Sequence, residues 1–174
     1  MKIDHWPWGD EKIIWGYMLS HKYTLKVLEP KLGRAGCLSL QKHRDKSESW
    51  VVLRGCAWVL VAVDGEVCSK LLRPFGVVNL PAGTLHRLAA VEEGTQVLEA
   101  STPDIHAADK TKLKDVIRLH CVHGRAVTEP GDTAERRVVE RCIEVSEEAL
   151  ACIARGAPPP EVNTALWAKI IGWI

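Results

Sequence analysis

The stretch Ala57-Trp58-Val59-Leu60-Val61-Ala62-Val63-Asp64-Gly65-Glu66-Val67-Cys68-Ser69-Lys70-Leu71-Leu72 decides the architecture. Two apolar runs of strand length flank Asp64-Gly65, a pair suited to a type I′ turn because both central positions of that turn need positive φ. An antiparallel hairpin is predicted. Outward from it the same rhythm continues, with candidate strands at Tyr23 to Leu28, Cys37 to His43, Trp50 to Arg54, Val77 to Leu80, His86 to Ala90 and Gln96 to Ser101. Short strands broken by turn residues at close intervals read as antiparallel β. Eight of them must close or stack to protect their edges, which predicts an all-β barrel, jelly roll or sandwich.

Composition narrows the class. The chain has 174 residues, 47% apolar and 26% charged, which fits one soluble globular domain with a little left over. Its 23 Lys+Arg against 22 Asp+Glu leave a net charge of +1. No whole-molecule field then favours nucleic acid or an acidic membrane surface, so neither is an expected partner. The six cysteines form no C-x-x-C pair, and the start Met1-Lys2-Ile3-Asp4-His5 has no apolar signal core. A reducing cytoplasm is therefore the expected location. No apolar run approaches the roughly 18 residues of a membrane span.

The tail has a different pattern. Ser146, followed by Glu147 and Glu148, reads as a helix N-cap, and Gly156 as the glycine that ends that helix. Pro158-Pro159-Pro160 forces a break, and Pro160 can open a second helix with Val162, Leu166, Ile170 and Trp173 on one face. Ala134 to Val145 suits either a helix or a strand. Trp167, Ile170, Ile171, Trp173 and Ile174 carry more apolar area than one amphipathic helix hides. They either dock on the barrel or pack on a second chain, and a homodimer is the expectation.

The chemistry sits in the middle of the chain. On a strand, Gln41 and His43 at i and i+2 face the same side. Glu48 follows after a polar loop, and Pro81-Ala82-Gly83-Thr84-Leu85 is a tight turn that delivers His86 to another strand. Two imidazoles, a carboxylate and an amide oxygen make a mixed nitrogen and oxygen set. It suits one divalent ion, zinc first, with Mn, Fe, Co or Ni as alternatives. Taken singly, each of these residues is more simply a hydrogen-bonded core or surface group. His120, Cys121 and His123 read as a solvated loop, and Arg136-Arg137 as a solvated face.

The spacing as a set resembles a known family. Q-x-H-x(4)-E-x(6)-G ending at Gly55, followed by P-x-G-x-x-H ending at His86, resembles the two motifs of the cupin superfamily. Within it, His5-Trp6-Pro7-Trp8-Gly9, Leu38 to His43, Glu48 to Gly55, Leu80 to Leu88, Asp115 to Leu119 and Gly124-Arg125 are similar to the cupin domain of type II phosphomannose isomerases. That resemblance implies a double-stranded β-helix over residues 1–125, with 126–174 as a helical C-terminal extension. It implies Gln41, His43, Glu48 and His86 as metal ligands. It also implies Lys46, Arg87, Arg118 and Arg125 as cations that bind a small-molecule sugar phosphate. The family usually has arginine where this chain has Lys46, histidine at Ser49 and asparagine at Ala90.

The implied function is an aldose-ketose isomerase of the mannose 6-phosphate isomerase type. Such an enzyme moves a proton between C1 and C2 while charge grows on the carbonyl oxygen, which a divalent cation offsets as a Lewis acid. Glu48 and Lys46 are then the candidate catalytic base and acid. Two alternatives stay open: a metal-containing cupin that binds a carbohydrate without turnover, and an Fe-dependent dioxygenase using open coordination positions on the same barrel.

Overall fold

The computed structural model describes residues 1–16, 21–103, 111 and 113–171, with side chains described as far as residue 168 at the C-terminal end. The strands are β1 (Lys2–Trp6), β2 (Gly9–Trp15), β3 (Thr24–Pro30), β4 (Leu40–His43), β5 (Glu48–Arg54), β6 (Ala57–Val63), β7 (Glu66–Leu72), β8 (Val77–Leu80), β9 (Leu85–Ala90), β10 (Gln96–Ser101) and β11 (Val116–His120). They form two antiparallel sheets, ordered β1-β2-β3-β10-β5-β8 and β11-β4-β9-β6-β7. The helices are α1 (Thr133–Ala154) and α2 (Thr164–Ile171).

The central hairpin forms as its sequence requires. Asp64 and Gly65 have φ of 52° and 81°, and Val63 pairs with Glu66 across the turn. Gly55, which closes the first motif, also has positive φ (74°), and a Cβ there would come within 2.5 Å of Thr95 Oγ1. Only glycine fits that corner without displacing its neighbour.

Alternation along the strands builds two cores. Trp50, Val52, Val59, Val61, Leu80, Leu88 and Val97 fill the space between the sheets, joined by Trp167 from α2. The opposite parity of the second sheet (Trp58, Leu60, Leu85, Ala89) packs under α1 through Val139, Cys142, Val145, Ala149, Leu150 and Ile153. Residues on both faces of β6 are therefore buried, which is why its seven-residue run reads as continuously apolar.

Several expectations need correction. β1, β2 and β11 lie outside the predicted strands, because Lys2 and Asp4 on β1, Glu11 on β2 and Arg118 on β11, which line the cavity described below, interrupt the apolar alternation. The first helix starts with Asp132, whose carboxylate accepts from the Glu135 N–H at 2.8 Å, and not at Ser146. Ser146 lies in mid-helix, buried, with its hydroxyl donating to the Cys142 carbonyl at 2.6 Å. Its polarity is satisfied inside the helix, so it mimics a cap in sequence only. Gly156 does sit just past the end, at φ 68°, with its N–H on the Ile153 carbonyl.

Pro160 does not open the second helix. Its carbonyl accepts from Trp58 Nε1 (3.0 Å) and Ser69 Oγ (2.9 Å), and Val162 bridges to Ser69 on β7. The proline segment is thus stitched to the second sheet, and the helix begins at Thr164. Of the apolar tail residues, Trp167 is buried in the molecule's own core. Ile170, Ile171, Trp173 and Ile174 fall outside the described side chains. No helix among the described residues is long and apolar enough to cross a membrane.

Candidate metal centre

The two sheets bring the predicted ligands to one point. Gln41 and His86 are register partners on β4 and β9, His43 lies two residues on from Gln41, and Glu48 opens β5 on the facing sheet. Donor atoms of His43, Glu48 and His86 all lie within 4.8 Å of one another, and all three residues are buried. His43 Nε2 is 3.3 Å from Glu48 Oε1, and His86 Nε2 is 3.6 Å from Glu48 Oε2.

Hydrogen bonding fixes which ring nitrogens are available. His43 Nδ1 is 2.5 Å from Asp115 Oδ2, and His86 Nδ1 is 2.8 Å from the Thr84 carbonyl. Both partners only accept, so both Nδ1 atoms donate there and Nε2 is the nitrogen that each ring turns to the centre. Burial, against the pull of Glu48, pushes the His86 pKa below its ordinary value, which keeps the ring neutral and ligand-ready.

His86 Nε2 and Glu48 Oε2 are buried with no hydrogen-bond partner among the described residues. Native proteins rarely leave such atoms orphaned, and a divalent cation satisfies both at once. The donor set therefore fits a metal ion. Gln41 adjoins it, with Nε2 3.3 Å from His43 Nε2 and Oε1 accepting from Ser39 Oγ at 2.6 Å. Rotating that amide by 180° exchanges its ends, turning the oxygen to the centre and the NH₂ to Ser39.

Asp115 orients His43, a role the sequence reading did not assign. Burial opposes its charge, but N–H donation from Asp45, together with the His43 contact, holds its carboxyl below the usual range. Asp115→Asn should weaken metal affinity by about 10- to 100-fold while the fold stays intact. A chelator competition titration measures this, and unchanged affinity would separate Asp115 from the centre.

Lys46 lies inside the site, in contact with Glu48 and 3.2 Å from Glu99 Oε1. Burial works against its charge, but Glu48 and Glu99 outweigh it and hold its pKa above that of an ordinary lysine. Lys26 completes the chain, 3.1 Å from Glu99 and 3.2 Å from Glu11. Burial opposes the Glu99 charge as well, yet the two lysines drive its pKa well below the carboxylate range. This network was missed. The available signal was a charge at an inward parity: Lys26 alternates with Thr24 and Leu28, and Glu99 with Val97 and Ser101.

The four predicted substrate cations separate. Lys46, Arg118 and Arg125 line a cavity of about 670 Å³ that opens from the metal centre, together with Lys114 and Trp6. Arg118 pairs in register with Gln41, and Arg125 donates to Ser39 Oγ at 3.3 Å. Burial first, then the neighbouring Arg125, lowers the Arg118 pKa. Among the described residues no carboxylate lies within 4 Å of either guanidinium.

Arg87 is the correction. It follows His86 on β9, and period-two alternation sends it to the opposite face, under α1, where it is fully buried and contacts His120 Nδ1 at 2.6 Å. It does not line the cavity. His120 is correspondingly half-buried, packed against that guanidinium and not on a solvated loop. Ser49 is likewise turned away from Glu48 and bonds Asn79 at 2.8 Å, so this departure from the family pattern does not touch the metal ligands.

Comparison with known proteins agrees with this geometry. Residues 2–120 match the family described as mannose-6-phosphate isomerase C-terminal. Over 119 residues the chain is 29% identical to mannose-1-phosphate guanylyltransferase ManC of Salmonella typhimurium and, equally, to a mannose-1-phosphate guanylyltransferase of Escherichia coli. The match covers 68% of this chain but 22% of either relative, so the chain spans about a fifth of their length. Among solved structures, the capsular polysaccharide assembling protein CapF of Staphylococcus aureus aligns at TM-score 0.56 and 15% identity, over 68% of this chain and 31% of that one. Lactobacillus farciminis oxalate decarboxylase aligns at 0.54 and 16%, over 68% and 33%. These structures share the fold. On its profile match and its assembled motifs, the chain belongs to the mannose-6-phosphate isomerase C-terminal family, built as a cupin.

Proposed function

We propose that this protein is a metal-dependent aldose-ketose isomerase acting on a hexose phosphate of the mannose 6-phosphate type. The observation that carries the reading is a cation site that shares one cavity with two guanidiniums, Arg118 and Arg125, which meet no carboxylate among the described residues. Gln41 on β4 and Arg118 on β11 are register partners, so Arg118 stands on the strand next to the one that carries Gln41 and His43. A sugar phosphate reaches both.

In this reading His43, Glu48 and His86 hold the ion, with Gln41 beside them. Zinc is the first candidate, since imidazole and carboxylate donors suit it. A divalent ion there supplies Lewis-acid stabilisation of charge developing on the carbonyl oxygen. Arg118 and Arg125 bind and orient the phosphate. Glu48 holds the proton that moves between C1 and C2, and the protonated Lys46 faces the same oxygens as the acid. Trp50, edge-on to the His86 ring at 5.2 Å between centroids, keeps bulk water from the floor of the site.

A binding-only cupin is favoured by one observation: Lys46 is held between Glu48 and Glu99, which compensates its charge inside the site. Incubating the zinc-loaded protein with mannose 6-phosphate and measuring fructose 6-phosphate decides between them. Turnover supports the isomerase, and binding without turnover supports the alternative. Arg125→Ala should weaken mannose 6-phosphate binding about ten-fold or more with metal content unchanged, since charge-assisted contacts contribute about 1.5 to 3 kcal/mol. If calorimetry shows mannose binding as tightly as its phosphate, the sugar-phosphate reading is overturned.

A further inference from the structure

The cavity is larger than a hexose phosphate needs. Sixteen non-hydrogen atoms, even at the roughly 30 Å³ each water occupies in the liquid, fill about 480 Å³, against a cavity of about 670 Å³. The surplus has a definite place. Lys2, Asp4 and Trp6 alternate along β1 and line the cavity, while β1 is the outer edge of the six-stranded sheet. Four strand spacings separate β1 from β5, which carries Glu48, or roughly 19 Å along the sheet. From C1 to a phosphate oxygen a hexose 6-phosphate spans eight bonds of about 1.5 Å, at most about 12 Å. Such a ligand, anchored on the metal at β5, does not extend along the sheet as far as β1.

The chemistry of that face is specific. Trp6 is 42% exposed at the cavity rim, a large apolar plane left in water with a glycine, Gly9, as its strand partner. Beside it Lys2 Nζ lies 2.9 Å from Asp4 Oδ1. An indole plane suits the C–H face of a pyranose, and an adjacent donor and acceptor suit its hydroxyls. Lys2 and Asp4 offset each other's charge, so the face adds no grip for a second phosphate, and a nucleotide is disfavoured there. We infer that the inward face of β1 is an outer subsite for an uncharged second sugar ring. The ligand class is then a phosphorylated disaccharide, the phosphate end of which rests on the function proposed above.

The test is calorimetry on the full-length, zinc-loaded protein with mannose 6-phosphate and with the same compound carrying a second mannose at O4. The disaccharide phosphate should bind about ten-fold more tightly. Trp6→Ala should abolish that gain, leaving mannose 6-phosphate affinity, metal content and melting temperature unchanged, and Trp6→Phe should restore most of it. Equal or weaker binding of the disaccharide phosphate overturns the subsite, as does a Trp6→Ala loss shared equally by both ligands. Should neither phosphate bind, the sugar-phosphate reading fails, and mannobiose against mannose still tests the subsite. A mannobiose preference that depends on Trp6 supports it, and equal binding overturns it.

Discussion

His86→Ala should empty the metal centre. Elemental analysis of the parent protein is expected to give about one divalent ion per chain, and the variant less than a tenth of that. His86 is the ligand whose Nε2 is buried and without a hydrogen-bond partner among the described residues, and whose Nδ1 is tied to the Thr84 carbonyl. Removing it leaves Glu48 and His43 facing an apolar methyl, and the loss should exceed the 10- to 100-fold that removal of an outer-shell partner costs. Thermal unfolding gives a second readout. An ion at a hundred times its Kd stabilises the parent by about 2.7 kcal/mol, and at that concentration the variant should show no gain. His5→Ala, on the exposed end of β1, should behave as the parent does. Retention of a full ion by His86→Ala would overturn the ligand assignment.

Glu99→Ala should produce the largest loss of stability. Glu99 lies between Lys26 and Lys46, at 3.1 and 3.2 Å, and all three are buried. Removing one member of a buried charge network typically costs about 3 to 5 kcal/mol, because the remaining charges lose their compensation. For a chain of this size that lowers Tm by roughly 6 to 20 °C. The pH dependence has a definite sign. The folded-state pKa of Glu99 is depressed, so its contribution is complete above the unfolded carboxylate value of about 4.3 and disappears as pH falls below it. The Tm gap between parent and variant should therefore be widest near neutrality and narrow in acid. A gap under about 2 °C at pH 7 would show that the network adds no net stability.

The path from sequence to site was uneven for physical reasons. The hairpin at Asp64-Gly65 and the pair Gln41 and His43 were legible because each rests on local geometry: a turn type or a two-residue period. Arg87 holds a motif position without being a site position. The same period that turns His86 inward turns Arg87 outward, beneath α1. Ser146 imitated a cap because a short hydroxyl side chain satisfies a mid-helix carbonyl as readily as a helix start.

By itself, then, the sequence determined the strand rhythm, the central turn and the shared face of Gln41 and His43, since each depends on residues near one another in the chain. Only the tertiary structure decided which charges share the cavity. Lys26, Glu99 and Lys46 come from β3, β10 and the loop before β5, and Asp115 reaches His43 across 72 residues. Their meeting depends on strand order, β3-β10-β5 in one sheet and β11-β4 in the other, and no local periodicity encodes the order in which distant strands pair.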